Sequence, residues 1–421
     1  MRDPLLTVIT KQLFPNLIGL YWIQALNVLL PALSLPFVLK AIGIEKFGLV
    51  SFYLSISMML VMAVDAGLPQ TALRLMSKVQ HHRRRPSRTI QRIFYATQQV
   101  RAIFSLILMS ITVAIAFSIP MTQEHRVMLL LGMLNVLGTL SLPAYYFVAT
   151  QQSHVLAICH LAGRGPIALI QIFCIHDPSQ AVLVMFLNSI ATLFSGGVAH
   201  FYLRRFNLGS IKQYLALNQR QCVFMLRSSG HLIPTQYCQA IIANAPTVLL
   251  GVFQSKANAG TYAAIEKIAR IGIAFLEPIT AAVLPILAQR SGTATKQRSR
   301  VTLIVCCVAI VSASFLAIAA ALIAKYLLGD ESQETLSMLQ LMSMWMCLTA
   351  INRHLEVTYF LSLNRLDQHK KIVTLLFPLS IALLLLTAQH SALYVAIAMI
   401  SVEVVQLIAS SNAIYRMAIK K

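Results

Sequence analysis

The stretch ANAGTYAAIEKIARIGIAFLEPITAAVLPILAQR, residues Ala257–Arg290, is long and apolar enough to cross a membrane as a helix, yet it carries charges. At about 100° per residue, Glu266, Arg270 and Glu277 fall on one face of that helix, and Lys267 lies to one side. Ionisable groups that face lipid are costly, so this face is expected to meet protein or a water-filled cavity. The stretch therefore predicts a membrane helix with a charged internal face.

The composition places the chain among polytopic membrane proteins. Of 421 residues, 57% are hydrophobic and 11% are charged, and the mean hydropathy is +0.73; a soluble protein carries about 25% charged residues. The net charge of +21 lies in short loops between apolar runs, so no nucleic-acid partner is expected. The seven cysteines lack CxxC spacing, so no disulfide and no metal site is expected.

Apolar runs of about 20 residues predict twelve membrane helices. Their spans are 16–40, 48–68, 97–119, 127–149, 155–175, 180–203, 222–253, 261–288, 302–325, 334–361, 372–389 and 391–412. No small-residue cleavage site follows a short apolar core, so the first run is predicted to be a retained helix. The fold class is therefore all-α, with a six-helix lobe at 1–206, a basic cytoplasmic linker at 207–221 and a second six-helix lobe at 222–421.

The distribution of basic residues predicts the orientation of this bundle. With an even number of helices, both termini and every even-to-odd loop share one side of the membrane. That side carries 23 Lys and Arg residues, against five on the other side, and six lie within or beside helices. Basic loops are retained in the cytoplasm and contact anionic lipid headgroups, so both termini are predicted to be cytoplasmic.

An internal repeat emerges when the two halves are compared at an offset of 212 residues. Gly48 then aligns with Gly260, and Asp65 aligns with Glu277. Six helices per half return the chain to the same side, so the repeats would be parallel and related by a pseudo-two-fold axis along the membrane normal. Prolines interrupt the first and seventh predicted helices, which indicates a central transport path.

Several predicted helices carry polar side chains at helical spacing. The fifth aligns His160, Arg164 and Gln171; the tenth aligns Trp345, Thr349, Asn352, Glu356 and Tyr359, with Arg353 adjacent; the twelfth carries Glu403, Gln406 and Ser410. Hydroxyl and amide groups are commonly used for hydrogen bonds between packed helices. The spacings Glu266–Arg270 and Arg353–Glu356 also fit structural ion pairs, whereas the sequence offers Arg164 and Lys267 no obvious acidic partner at helical spacing. Arg101 is expected to snorkel to the cytoplasmic interface.

A cationic lining favours an anionic substrate, and the arginine fork suits phosphate. The candidate substrate-binding residues are Arg164, Lys267, Arg270 and Arg353. The candidates for carrying a coupling proton or Na⁺ are Asp65, Glu266, Glu277, Glu356 and Glu403, since buried carboxylates can titrate nearer neutral pH. No P-loop and no soluble domain is visible, so the chain is predicted to be a transporter rather than an enzyme, without a cofactor.

Three segments resemble the polysaccharide-exporter branch of the multidrug/oligosaccharidyl-lipid/polysaccharide superfamily, and specifically the O-antigen-type (Wzx-like) flippases. They are LPFVLKAIGIEKFGLVSF at 35–52, Asp65-Ala66-Gly67, and GTYAAIEKIAR at 260–270 followed by EPITAAVLPILAQ at 277–289. The resemblance implies an inner-membrane flippase that moves an undecaprenyl-pyrophosphate-linked oligosaccharide to the periplasmic leaflet by alternating access. It further implies membrane lipids as surroundings, cation coupling, and polymerase and chain-length components as pathway partners.

Three other functions are compatible with parts of the pattern. A drug or metabolite exporter of the same superfamily shares the architecture but is expected to have a less basic cavity. A flippase for the peptidoglycan lipid would typically have fourteen helices. A membrane-embedded O-antigen polymerase or ligase would need a large periplasmic loop, whereas the predicted outer loops have about 5–10 residues.

Overall fold

The computed structural model describes residues 14–79, 87–206, 208, 218–230, 232–289, 294–330, 332–361, 363 and 365–419. Within these ranges, the side chains of 14–29, 78, 275–289, 294–297, 361, 366, 418 and 419 are not described. The described chain is helical and contains no β-strand, which confirms the all-α fold class. Much of the predicted linker at 207–221 and of the basic loops at 81–88 and 290–300 lies outside the described residues.

The first nine helices cover residues 14 to 253. They are α1 Phe14–Asp65, α2 Leu68–Val79, α3 Arg88–Ser118, α4 Gln123–Ser141, α5 Ala144–Ala149, α6 Ser153–Cys174, α7 Ala181–Leu203, α8 Gln219–Ser229 and α9 Ile233–Phe253. Short 3₁₀ turns at Pro178–Gln180 and Arg204–Phe206 flank α7. The remaining helices are α10 Lys256–Gln289, α11 Ala294–Ile318, α12 Ala320–Ile323, α13 Gln333–Leu355, α14 Leu366–Thr387 and α15 Ala392–Ile419, with π-helical segments at Ala324–Leu328 and Glu356–Leu361.

Helix α1 contains the first two predicted helices, separated at Gly43. Gly43 has φ 76° and ψ 163°, a conformation that glycine adopts far more readily than other residues. The repeat offset of 212 places Gly43 on Ser255, which is the non-helical junction between α9 and α10. The break in α1 therefore recurs at the equivalent point of the second half, as the internal repeat predicts.

Prolines explain two further differences from the predicted spans. The fourth predicted span, 127–149, is two helices, because α4 ends at Ser141, two residues before Pro143. The seventh, 222–253, is also two helices, and Pro234 stands in the first turn of α9, where a missing N–H is tolerated. The short helix α2 was not predicted, because its charged and polar residues keep it from forming an apolar run.

The chain divides into two compact units. One comprises Met1–Leu30 and Tyr53–Ile241, and the other comprises Pro31–Phe52 and Ile242–Lys421. The lobe boundaries expected from the sequence, 206 and 222, remain a prediction.

In the first unit, α7 packs between α4 and α6. The contact with α6 is made at Gly163, where an added Cβ would lie 2.1 Å from the Ser195 Oγ and 2.5 Å from the Ala191 carbonyl oxygen. Small residues allow membrane helices to approach this closely. Aromatic rings on α3 and α5, including Phe94, Tyr146 and Phe147, form a core with α2, α6 and α8.

In the second unit, α13 contacts α10, α11 and α15, and α14 packs on α15. Helix α13 begins where the Ser332 hydroxyl accepts from the Thr335 backbone N–H, the usual N-terminal cap. In the preceding loop, the Thr335 hydroxyl and the Ser332 N–H donate to Asp330, and these bonds lower the pKa of its carboxyl group. The position of α13 at the centre of this unit brings its polar residues against two neighbouring helices.

By length and hydropathy, eight helical spans among the described residues can cross a membrane. They lie in α1, α3, α4–α5, α6, α7, α11, α14 and α15. Large apolar side chains on them are exposed, including Phe315 at 73%, Leu375 at 78% and Ile318 at 81%. Such surfaces suit lipid, so the chain is a multi-pass membrane protein, while the number twelve and the cytoplasmic termini remain predictions.

Candidate functional site

Arg270 and Glu266 form the ion pair that their spacing predicts on α10. The Arg270 Nη2 lies 2.6 Å from the Glu266 Oε1, and its Nε lies 3.1 Å from the same oxygen. Nη2 also donates to the Ala243 carbonyl oxygen at 3.2 Å, and the guanidinium lies 5.6 Å from the centre of the Trp345 ring. The Arg270 side chain nevertheless remains 37% exposed, so part of its fork is available to another group.

Lys267 has an aromatic neighbour that its sequence position did not indicate. Its ammonium nitrogen lies 4.5 Å from the centre of the Phe47 ring, within the distance of a cation–π interaction. Lys267 is therefore engaged with the segment 31–52, which belongs to the same unit. Arg270 is the better placed of the two α10 cations for contact with a ligand.

Glu403 on α15 meets the polar residues predicted on α13. The Thr349 hydroxyl donates to its Oε1 at 2.8 Å, and the Asn352 amide donates to its Oε2 at 2.6 Å. Arg270 and Arg353 both interact with Glu403 electrostatically. The polar residues predicted on the tenth helix therefore contact those predicted on the twelfth helix through the Glu403 carboxylate.

Arg353 and Glu356 lie one turn apart where α13 passes into the π-helical segment. Arg353 is exposed, attracted by Glu356 and Glu403 and repelled by Arg270. The Glu356 Oε1 lies 3.4 Å from the Nε2 of His369 on α14. Glu356 therefore interacts both with Arg353, as the spacing predicts, and with a histidine from another helix.

We call Glu266, Arg270, Arg353, Glu356 and Glu403 the charged cluster. It lies on three helices of the second unit, and its members interact electrostatically with one another. Its two arginines are accessible, although accessible charge facing lipid would be costly. This combination is typical of residues that line a water-filled cavity. Within the described residues, no cluster of histidine, cysteine or carboxylate side chains could hold a metal ion.

Asp65 has its own arginine in the first unit. The Arg101 Nε and Nη2 both lie 2.8 Å from the Asp65 Oδ1, Nη1 donates to the Gln98 Oε1 at 2.7 Å, and Nη2 donates to the Thr139 carbonyl oxygen at 2.9 Å. Arg101 is only 2% exposed. The expectation that Arg101 snorkels to the interface is wrong, because the partly exposed Asp65 carboxylate and two neutral acceptors bind its buried guanidinium within the bundle.

Arg164 lies on α6 of the first unit, with His160 and Gln171 on the same buried face. It is partly exposed, and it is close enough to His160 to interact electrostatically. Its proposed part in substrate binding remains a prediction. Glu277 lies in α10, but its side chain is outside the described residues, so its predicted pairing with Asp65 across the repeat also remains a prediction.

His369 was missed from the sequence. The predicted eleventh helix begins at 372, which leaves His369 in a basic loop, whereas α14 begins at Leu366 and buries it to 3% exposure. Trp345 and Glu403 could be found, because both belong to the polar stripes described above. No signal in the sequence distinguishes His369 from the charged residues around it.

Comparison with known proteins defines the class of molecule that carries this site. The fold is similar to that of the lipid II flippase MurJ in an inward closed conformation, at 11% identity and a TM-score of 0.75, covering 96% of this chain and 87% of that one. It is also similar to an inward-facing multidrug resistance transporter of the MATE family, at 13% identity and a TM-score of 0.69, covering 94% and 95%. The chain therefore shares the fold of these two proteins, the second of which is described as a member of the MOP superfamily.

The chain belongs to the family described as polysaccharide biosynthesis protein, which it matches over residues 13–291. A curated relative from Escherichia coli (strain K12), named "Putative O-antigen transporter", is 21% identical over 381 residues, covering 87% of this chain and 89% of the relative. These relatives are transporters and flippases, so the predicted family and the prediction of a transporter rather than an enzyme are confirmed.

Proposed function

We propose that this protein is an inner-membrane flippase that moves an undecaprenyl-pyrophosphate-linked oligosaccharide from the cytoplasmic to the periplasmic leaflet. Its family acts in polysaccharide biosynthesis, and similar proteins are named as an O-antigen transporter and a lipid flippase. The observation that carries the proposal is the pair of accessible arginines, Arg270 and Arg353, on helices of a membrane protein. The wider pathway would supply a polymerase and chain-length components as partners.

Arg270 is suited to hold a pyrophosphate. Glu266 fixes one side of its guanidinium at 2.6 Å, and Trp345 lies beside it, so the fork loses little freedom on binding. Arg353 supplies a second charge that is repelled by Arg270, and an anion between them would relieve this repulsion. Trp345, Thr349 and Asn352 lie on the same part of α13, where they are buried beside Arg270 and Glu403 and help to fix the charged cluster.

Coupling to a cation is a separate part of the proposal. Among the acidic candidates, Glu266 is paired with Arg270 and Asp65 with Arg101. Glu356 lies 3.4 Å from His369 and Glu403 accepts from Thr349 and Asn352, while Arg353 attracts both carboxylates and Arg270 also attracts Glu403. The proposed assignment therefore gives the anion to Arg270 and Arg353 and leaves Glu356 and Glu403 as the candidates for coupling.

The test is complementation of a strain that lacks the protein. Arg270→Gln should accumulate lipid-linked intermediates on the cytoplasmic face, because loss of a charge-assisted contact of about 1.5–3 kcal/mol weakens binding roughly 10- to 150-fold. Arg270→Lys should be intermediate, since it keeps the charge but loses the fork. The exposed Arg300, outside the charged cluster, provides the matched control Arg300→Gln, which should restore surface polysaccharide. Normal translocation by Arg270→Gln at equal protein level would contradict the proposed anion site.

A further inference from the structure

Beside the π-helical segment Glu356–Leu361, the buried His369 of α14 faces the Glu356 carboxylate. His369 is 3% exposed, and neither ring nitrogen makes a hydrogen bond to any described residue. The Glu356 carboxylate faces the ring, with its Oε1 3.4 Å from Nε2, slightly beyond a good hydrogen bond. The ring is otherwise packed against Phe360, 5.5 Å between ring centres. An imidazolium in this place would form an ion pair with Glu356, whereas a neutral imidazole has no charge with which to attract it.

A second buried histidine beside the same segment has different surroundings. His354 is fully buried, but its Nε2 lies 3.1 Å from the Thr302 hydroxyl and 3.3 Å from the Thr358 hydroxyl. Hydroxyl groups can donate or accept, so they satisfy a neutral imidazole. The contrast indicates that His354 is accommodated as a neutral side chain, whereas the surroundings of His369 change with its protonation.

We propose that His369 and Glu356 form a proton-binding pair that determines whether Glu356 is held by His369 or by Arg353. Arg353 precedes Glu356 by one helical turn and is attracted by it. A protonated His369 would draw the Glu356 carboxylate toward α14 and weaken its attraction for Arg353, whose charge would then act more strongly on Glu403 and on a bound anion. With a neutral His369, the carboxylate returns to Arg353 and competes with that anion. The identity of the anion as a pyrophosphate rests on the proposed function.

Other charged groups surround the pair, and Glu403 on α15 attracts Arg353 whether or not Glu356 does. Lys370 donates to Asp367 at 3.3 Å, so these neighbours on α14 largely offset each other. From α10, Arg270 repels Arg353 and is itself paired with Glu266. π-Helical turns are rare and occur often at functional sites, and such a turn gives Glu356 a backbone that can adjust between two partners.

Proton binding and anion binding are then linked and must strengthen each other by the same factor. The first experiment uses the full chain in lipid nanodiscs without substrate, with ring-¹³C histidine followed by NMR between about pH 5 and pH 8. Among the eleven histidines, His369 is assigned by the signal lost in His369→Gln. We expect the His369 signal to titrate in the wild type. It should titrate only at lower pH in Glu356→Gln, and its titration should be unchanged in the control His354→Gln. A His369 signal that does not titrate, or that titrates equally in Glu356→Gln, would overturn the pair.

The second experiment measures the link to Arg353 with inorganic pyrophosphate as the probe. Pyrophosphate itself titrates in this range, so wild type and His369→Gln are compared at the same pH by calorimetry. The pyrophosphate affinity of the wild type divided by that of His369→Gln should be at least about fivefold larger near pH 6 than near pH 8. An equal affinity ratio at pH 6 and pH 8 would overturn the proposal that the His369–Glu356 pair controls the charge of Arg353. If pyrophosphate binds at neither pH, the proposed anion site fails, and NMR still decides whether the proton-binding pair exists. If His369→Gln fails to fold, Glu356→Gln is used instead, because it preserves side-chain volume. This second variant is first checked to be monodisperse.

Discussion

Arg101 is a buried arginine whose three guanidinium nitrogens each have an acceptor inside the helix bundle. It is 2% exposed, and its acceptors are the Asp65 carboxylate, the Gln98 amide oxygen and the Thr139 carbonyl oxygen. A carboxylate that already has a cation at 2.8 Å gains little from Na⁺ or a proton. These contacts favour a structural part for Asp65 over the coupling part proposed from its sequence position.

Replacing Asp65 with Asn should destabilise the protein, because it leaves the Arg101 charge buried and unbalanced. We expect a loss of about 3 kcal/mol or more in the free energy of unfolding, as for other broken buried pairs. The double variant Asp65→Asn/Arg101→Gln should recover much of this loss, because neither charge then remains. Melting temperatures of Asp65→Asn, Arg101→Gln and the double variant in detergent complete the cycle. Additive losses would show that the two side chains do not stabilise each other.

Local spacing decides which of these charged contacts the sequence could predict. Glu266 and Arg270 are four residues apart on one helix, so their pairing follows from helical geometry. Asp65 and Arg101 are 36 residues apart on different helices, and no periodicity within one helix relates them. Glu356 and His369 are separated by a chain reversal, and their contact depends on where α14 begins.

At the scale of helices, the crossing of α1 and α10 combines the sequence repeat with a steric requirement. Gly48 and Gly260, which align at the offset of 212, pack against each other. A Cβ added at Gly48 would lie 1.7 Å from the Lys256 carbonyl oxygen, and one added at Gly260 would lie 2.2 Å from the Ile44 carbonyl oxygen. Each glycine therefore admits the backbone of the other helix, which only a residue without a side chain permits.

Alanine at either position should separate these helices. Because the obstructing atoms belong to the backbone, they cannot rotate away, and we expect Gly48→Ala and Gly260→Ala to lose at least about 1–3 kcal/mol of stability. The control is Gly197→Ala, since nothing lies within 4 Å of a Cβ added there, and alanine favours a helix. Thermal unfolding in detergent should show lower melting temperatures for the first two variants only. Equal melting of Gly48→Ala and wild type would mean that this close crossing is not maintained.

Apolar runs in the sequence predicted where the helices lie, but they did not always predict where a helix is interrupted. The break near residue 43 was anticipated by a gap between two runs, whereas 127–149 and 222–253 each read as one continuous apolar segment. Proline and neighbouring turn residues interrupt both without lowering the mean hydropathy enough to divide them. The same limitation placed the start of α14 six residues late and left His369 in a loop.

At the scale of the whole molecule, composition and repeat were sufficient for the fold class, and three short segments were sufficient for the family. The fold alone does not identify the cargo, because this chain is similar both to a multidrug transporter and to a lipid II flippase. What distinguishes these functions is the chemistry of the residues available to the cargo. In the second unit, those residues include two accessible arginines, which favour an anion over a cationic drug.

A strain that lacks the protein should therefore show a defect in lipid-linked saccharide and no change in its susceptibility to cationic drugs. In the charged cluster, Glu266 is held by Arg270 and Glu403 accepts from Thr349 and Asn352, so these carboxylates are already engaged where a positively charged compound would need them. Both outcomes can be measured in one strain, by assaying undecaprenyl-linked intermediates and by determining growth-inhibitory concentrations of cationic dyes and antibiotics. Arg270→Gln should fail to restore the saccharide and should leave drug susceptibility unchanged. Increased drug susceptibility with normal saccharide intermediates would instead assign the molecule to drug export, and the two arginines would then need another role.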